Sequence, residues 1–238
     1  MITQTRFAKP KINYSYGKYN KIIGDLQKIR ITQGCPNNCP YCYEPTNFEY
    51  YIDVIDEIEK NKVIISDMNL LSKPKAKMIL KKLIDKRINN KVVYYELECG
   101  IDFRFLDPET SVLLYKGRFG NFKKSGKWRK NIKMAWDWGY KDKTRILDAI
   151  NHLKKAGFKS DEISIFMLCN WKIPYKECIE KLDLLKVLGV LVNDCWFDNQ
   201  SPPKIIPEYW TYKQIKSFRN KCRKHNQLIL FRGYDPET

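Results

Sequence analysis

The sequence predicts an α/β fold with parallel strands, closer to six β/α units than to the eight of a full barrel. Three observations carry this. Apolar runs of strand length alternate with segments whose apolar residues recur every three or four positions. Glycine and proline stand where helices should stop and start. At 238 residues with 43 % hydrophobic content, the chain can bury a real core as one domain.

The predicted strands are Lys28–Thr32, Lys62–Ser66, Lys91–Cys99, Asn131–Asp137, Glu162–Cys169 and Val190–Phe197. Between them, Ala76, Ile79, Leu80, Leu83 and Ile84 make one helical face, and Ile146, Leu147, Ile150 and Leu153 a second. Ile179, Leu182, Leu185 and Leu188 make a third. Gly157 and Gly189 follow the last periodic residues, and Pro74 and Pro174 sit near helix starts. Residues 28–199 form the core of a single domain spanning 1–238. Residues 200–238 are expected to close it, with a helix over Tyr209–His225 and a short strand over Leu228–Phe231. The segment before Asp25 has no assigned place, and no internal repeat or second domain is read.

Composition narrows the function classes. No stretch approaches the roughly 18 apolar residues of a membrane span, and the first residues lack the apolar core of a signal peptide. A cytoplasmic protein with its eight cysteines kept reduced is expected. The net charge of +17 raises nucleic acid as a partner. Lysine far outnumbers arginine, however, and Asn, Ile and Tyr are plentiful, as an AT-rich genome would give. Nucleic acid is therefore the second choice.

The residues with the most chemistry are Cys35, Cys39 and Cys42, in Gly34-Cys35-Pro36-Asn37-Asn38-Cys39-Pro40-Tyr41-Cys42. This C-x3-C-x2-C run follows the first strand and offers three thiolates from one loop. Iron–sulfur clusters are normally held by four cysteines, so three leave one iron open to a small molecule. A structural zinc site is the plainer alternative. Zinc usually takes four ligands in two close pairs, whereas His152 and His225 lie far downstream.

The run resembles the cluster motif of the radical S-adenosylmethionine (SAM) superfamily, including the aromatic Tyr41 before the third cysteine. The resemblance covers roughly residues 28–199. It implies a partial (β/α)6 TIM-like barrel and a 4Fe–4S cluster on Cys35, Cys39 and Cys42. It also implies SAM bound at the open iron and cleaved to a 5′-deoxyadenosyl radical that takes a hydrogen from a substrate. A low-potential flavodoxin or ferredoxin is implied as electron donor, and Tyr41 as a neighbour of the adenine.

Chemistry in such barrels lies at the C-terminal strand ends. After the second strand, Asp67 and Asn69 stand where many relatives carry a Gly-Gly-Glu type motif, and would accept from the SAM ammonium. After the third, Gly100-Ile101-Asp102-Phe103-Arg104 resembles a segment of cores related to the cobalamin-binding branch; Arg104 would hold the SAM carboxylate and Asp102 would orient it. Asp137 stands where the family often binds the ribose. Asn170 is the candidate for adenine or ribose contacts. For Asp67 and Asn69 the alternative is capping or turn chemistry, and for Asp102 and Arg104 a structural ion pair. The polar tail of the sixth strand, Asp198-Asn199-Gln200, would face the substrate.

Cys99, Cys169 and Cys195 also fall near strand ends. A second cluster or a thiol partner is the sharper reading, and burial as small hydrophobes the commoner one. The basic, aromatic-rich stretch Lys116–Lys133 precedes the fourth strand and so should lie at the end of the barrel opposite the chemistry. The chain is too short to add a cobalamin domain or a large auxiliary-cluster domain, and the substrate is not legible.

Overall fold

The computed structural model of the protein describes residues 17–42, 44–123, 125–197, 207 and 209–232. It is a mixed α/β structure in two compact units. The first runs up to Ile101 and includes Val112–Lys130; the second comprises Asp102–Ser111 and the chain from Asn131 onward.

In the first unit, β1 (Tyr19–Ile23) turns back antiparallel onto β2 (Leu26–Arg30), with Tyr19 opposite Arg30. Two short strands, β3 (Thr32–Gln33) and β4 (Glu49–Tyr50), pair antiparallel across the base of the cysteine loop. Next come β5 (Lys62–Ile65) and the helix α1 (Ala76–Asp85). A small hairpin of β6 (Arg87–Ile88) and β7 (Lys91–Val92) leads into β8 (Tyr94–Leu97). The sheet order is β1-β2-β5-β8, and β2, β5 and β8 run parallel.

Side chains alternate across this sheet as a period of two requires. Gln27, Ile29, Val63, Ile65, Tyr95 and Leu97 are buried on one face. Helix α1 covers that face with Ala76, Ile79, Leu80 and Leu83, and the Tyr95 hydroxyl donates to the Leu83 carbonyl at 2.8 Å. Lys28, Arg30, Glu96 and Glu98 belong to the other, more open face.

The second sheet, of order β14-β13-β12-β9, consists of β9 (Ile101–Asp102), β12 (Ile132–Ala135), β13 (Ile163–Cys169) and β14 (Leu191–Trp196), with Asp102 and the three later strands in the second unit. Strands β12, β13 and β14 are parallel, with Ile132 opposite Ile163 and Ser164 opposite Leu191. The central β13 is buried along nearly its whole length, as expected for a strand covered on both faces. Helices α3 (Lys143–Ala156) and α4 (Tyr175–Val187) follow β12 and β13. Gly157 ends α3 at φ 114°, a left-handed cap that favours glycine. In α4 the buried line runs through Cys178, Lys181, Leu182 and Leu185, so Ile179 and Leu188 of the expected face sit at its edge.

Two sequence expectations change. Leu228–Phe231 is not a strand but the last turn of α5 (Tyr212–Arg232). Ile215, Phe218, Cys222, His225 and Ile229 are buried at spacings of three and four, and this periodicity carries the helix through the apolar run. The stretch Lys116–Lys133 is not a plain loop. After α2 (Pro108–Lys116), Phe119 bridges parallel to Tyr95 beside β8. It opens a hairpin of β10 (Gly120–Phe122) and β11 (Trp128–Lys130).

The hairpin lies on the open face of the first sheet. The Phe122 N–H donates to Glu96 at 2.9 Å, and the rings of Tyr94 and Trp128 are 5.0 Å apart. A Cβ at Gly126, in its turn, would be 3.2 Å from the ammonium of Lys62, the first residue of β5. The turn therefore sits where the parallel strands begin, as the sequence reading expected. The tail Asp198-Asn199-Gln200 and the segment Met1–Tyr16 lie outside the described residues.

Candidate metal and cofactor site

The cysteine loop leaves the C-terminal end of β2 and is closed at its base. The Tyr51 N–H donates to Ile31 at 2.7 Å, and the Cys35 N–H to the Pro45 carbonyl at 2.8 Å. Gly34, at φ +96°, makes the turn, and a Cβ there would lie 2.1 Å from the Asn47 carbonyl oxygen, so only glycine fits.

Two buried charged side chains hold Gly34 from both sides. Its N–H donates to Glu44 at 2.7 Å. Its carbonyl accepts from the ammonium of Lys73, which also donates to Met68 at 2.8 Å. Lys73 is 3 % exposed, and burial pulls its pKa down while Cys35, Asp67 and Glu44 pull it up. Burial likewise raises the Glu44 carboxyl, against the lowering effect of the Gly34 N–H. Sequence reasoning missed both residues; a charge that becomes buried carries no local sequence signature.

Asp67 lies just past β5 and is 2 % exposed. Its carboxylate accepts from the Ile31 N–H at 2.8 Å, the Thr32 N–H at 2.7 Å and the Thr32 hydroxyl at 2.7 Å. It splices the end of β2 to the turn after β5. Burial pushes its pKa up to about 6 despite these donors. Asn69, left-handed at φ 52°, points its amide at the Cys35 sulfur, with Nδ2 and Sγ 3.5 Å apart.

The three thiols are half-buried. The Glu44 N–H approaches the Cys42 sulfur at 3.4 Å, and the Cys42 N–H closes a turn onto Cys39 at 3.0 Å. Burial pushes the Cys42 thiol up, and Cys39 and Cys35 add to that direction. A thiol held protonated in this way ionises most readily against a bound cation. Donors aimed at two of the three sulfurs suit thiolate ligands, because N–H···S bonds are a means by which proteins tune iron–sulfur clusters. The donor set fits such a group. Among the described residues no group of three or more His, Cys, Asp or Glu side chains is arranged closely enough to hold a metal ion. Tyr41 precedes Cys42 on the loop and is half-buried.

A cavity of about 360 Å³ opens beside the loop, on the open face of the first sheet. Glu44, Ser66, Met68, Glu98 and Cys99 line it at or beyond the strand ends, with Lys28 and Arg30 from β2 and Tyr19 from β1. Lys28 and Glu98 are ion-paired at 2.7 Å. Burial pushes the Cys99 thiol up to about 11, so it is held as S–H.

The remaining candidates belong to the second unit. Asp102 caps the turn Phe103–Phe105 by accepting from the Arg104 N–H at 2.9 Å. It also takes the Arg104 guanidinium at 2.9 Å (Nε) and 2.6 Å (Nη2), a bidentate pair that fixes the arginine plane. Asp137 is half-buried on the loop after β12. Two residues of α4 hold that loop. Lys181, fully buried, donates to the carbonyls of Trp136 (3.3 Å) and Trp138. Glu177, one helical turn earlier, accepts from the Tyr140 N–H.

Asn170 is fully buried at φ 57°. Its carbonyl accepts from the N–H groups of Tyr209 and Trp210, each at 3.3 Å, and its amide reaches the Phe197 carbonyl at 3.5 Å. It ties the end of β13 to the segment before α5. Cys169 is buried and Cys195 half-buried, and burial raises both thiols, Cys195 to about 12.

The structure therefore brings the three cysteines, Asp67 and Asn69 together in the first unit, and places Asp102, Arg104, Asp137 and Asn170 in the second, after β9, β12 and β13. A scan against models of known protein families finds no match, and neither does a search of curated proteins.

Proposed function

We propose that the protein is an iron–sulfur enzyme of the radical SAM class, built on a partial (β/α)6 barrel. Cys35, Cys39 and Cys42 would hold a 4Fe–4S cluster. The observation that carries this reading is one closed loop at the end of a parallel strand, with three thiols and with N–H donors on two of the sulfurs. Bound there, the cluster would supply the electron that splits SAM into methionine and a 5′-deoxyadenosyl radical.

The chain's own residues bind and orient. Glu44 and Lys73 hold the loop's first turn, and Asp67 fixes that turn to the neighbouring strand end. The cavity beside Glu44 presents both charge signs, suited to the ammonium and carboxylate of an amino-acid moiety. Tyr41 is assigned to the adenine. In the second unit Arg104, oriented by Asp102, is assigned to a carboxylate, and Asp137 to hydroxyl groups of the ribose. Asn170 acts through the segment it pins.

A low-potential flavodoxin or ferredoxin would deliver the electron, and a reducing cytoplasm suits the eight free thiols. Among the described residues no helix is long and apolar enough to cross a membrane. Anaerobic reconstitution with iron and sulfide, followed by reduction with SAM, tests the proposal. SAM-dependent 5′-deoxyadenosine that disappears in Cys39→Ala supports it, and its absence from the wild type rejects it.

A further inference from the structure

Helix α5 spans 21 residues and contains no aspartate or glutamate. Its two sides differ sharply. Ile215, Phe218, Cys222 and Ile229 are buried, and the helix packs on β14. The Asn226 amide takes both backbone groups of Val192, accepting at 2.9 Å and donating at 2.7 Å, and His225 bonds the Val190 carbonyl at 2.8 Å. The helix is thus fixed in rotation against the strand.

The opposite side is exposed. Lys213, Lys216, Asn220, Arg223, Lys224 and Gln227 recur there at helical spacing and form one stripe. From Lys213 to Lys224 it is about 16 Å long at the helical rise of 1.5 Å per residue. None of its four cations has an ion pair or hydrogen bond among the described residues. Near its two ends stand Tyr212, 69 % exposed, and Phe231, 82 % exposed.

We propose that this face of α5 docks single-stranded nucleic acid, with Lys213, Lys216, Arg223 and Lys224 on backbone phosphates and Tyr212 and Phe231 as stacking platforms. Cations tracking a backbone between aromatic rings are how single strands are held without sequence readout. A lipid surface fits less well, because the apolar side that would enter a bilayer is already buried against β14. The site is independent of the cysteine loop, so it stands or falls apart from the cluster chemistry.

The test measures binding of a fluorescein-labelled single-stranded RNA, and of the same sequence as DNA, by anisotropy across a salt series. The probes are offered to the full chain and to a variant with Lys213, Lys216, Arg223 and Lys224 changed to Gln. A control variant loses the same charge elsewhere, through Lys91, Lys141, Lys155 and Lys186 changed to Gln, all exposed. The α5 variant should bind at least about tenfold more weakly at moderate salt, with a slope flatter by about 3, from roughly 0.7 per lost phosphate contact on single strands. The control should keep most of the wild-type affinity, and Tyr212→Ala with Phe231→Ala should weaken binding at unchanged slope. Equal loss in the two charge variants would show general charge rather than a site. That result, no wild-type binding at low salt, or binding only to vesicles of anionic phospholipid, would overturn the proposal. RNA against DNA in the two arms decides which polymer it is.

Discussion

The ammonium of Lys73 donates to the carbonyl of Gly34 across 39 residues of sequence, and so joins the turn after β5 to the first residue of the cysteine loop. The same nitrogen serves Met68, which leaves the cation satisfied though buried. Lys73→Met should leave these carbonyls unpartnered and cost on the order of 1–3 kcal/mol. Thermal or urea unfolding reads that cost. Amide exchange in the metal-free protein should also quicken at Gly34 and Cys35; unchanged exchange would separate Lys73 from the loop.

Gly34→Ala tests the turn itself. The added Cβ meets the Asn47 carbonyl at 2.1 Å, in a backbone region that costs a non-glycine residue about 1–3 kcal/mol. Iron uptake on reconstitution should fall more steeply than overall stability. Full iron uptake by the alanine variant would mean that the turn does not position the thiols.

Asp67 predicts a pH dependence. Burial raises its folded pKa to about 6, from the ordinary carboxylate value of 3.8. The folded state therefore holds a proton that the unfolded state has lost between these values. The stability contributed by this group is full below about pH 4 and declines as pH rises towards about 6. Asp67→Asn should flatten that part of the stability profile while weakening the bonds to Ile31 and Thr32. An unaltered profile in the variant would assign the pH dependence to another group.

Asn170 supplies a structural contrast. Asn170→Ala removes the acceptor of the Tyr209 and Trp210 N–H groups and should cost about 1–3 kcal/mol. Asn170→Asp keeps the acceptor but buries a carboxylate against the Phe197 carbonyl, so it should cost at least as much. If SAM affinity drops in the alanine variant with no loss of stability, the residue contacts the ligand directly.

The parallel strands were legible because alternation and flanking glycines are local signals. Lys62–Ile65, Ile163–Cys169 and Leu191–Trp196 lie within the runs that predicted them. The ends were less so. Leu228–Phe231 is a short apolar run, ambiguous by itself, and only the helical line back to Ile215 decides it. The hairpin of Gly120–Phe122 and Trp128–Lys130 was hidden because each strand is only three residues long and alternates weakly, and the Tyr95 that the preceding Phe119 bridges is distant in sequence. In the site, the cysteine spacing announces itself, whereas Glu44 and Lys73 matter only because folding buries them against Gly34. Asp67 and Asn170 were found by position at strand ends, and the structure shows their polar atoms bonded within the protein.

The most direct test of the central claim is the iron and sulfide content of the anaerobically reconstituted protein, read with the 5′-deoxyadenosine formed on reduction with SAM. A radical SAM enzyme should yield one 4Fe–4S cluster per chain and SAM-dependent 5′-deoxyadenosine, both lost when Cys35, Cys39 and Cys42 are replaced by alanine. A chain that takes up no cluster, or a cluster and product that survive the triple replacement, would contradict it.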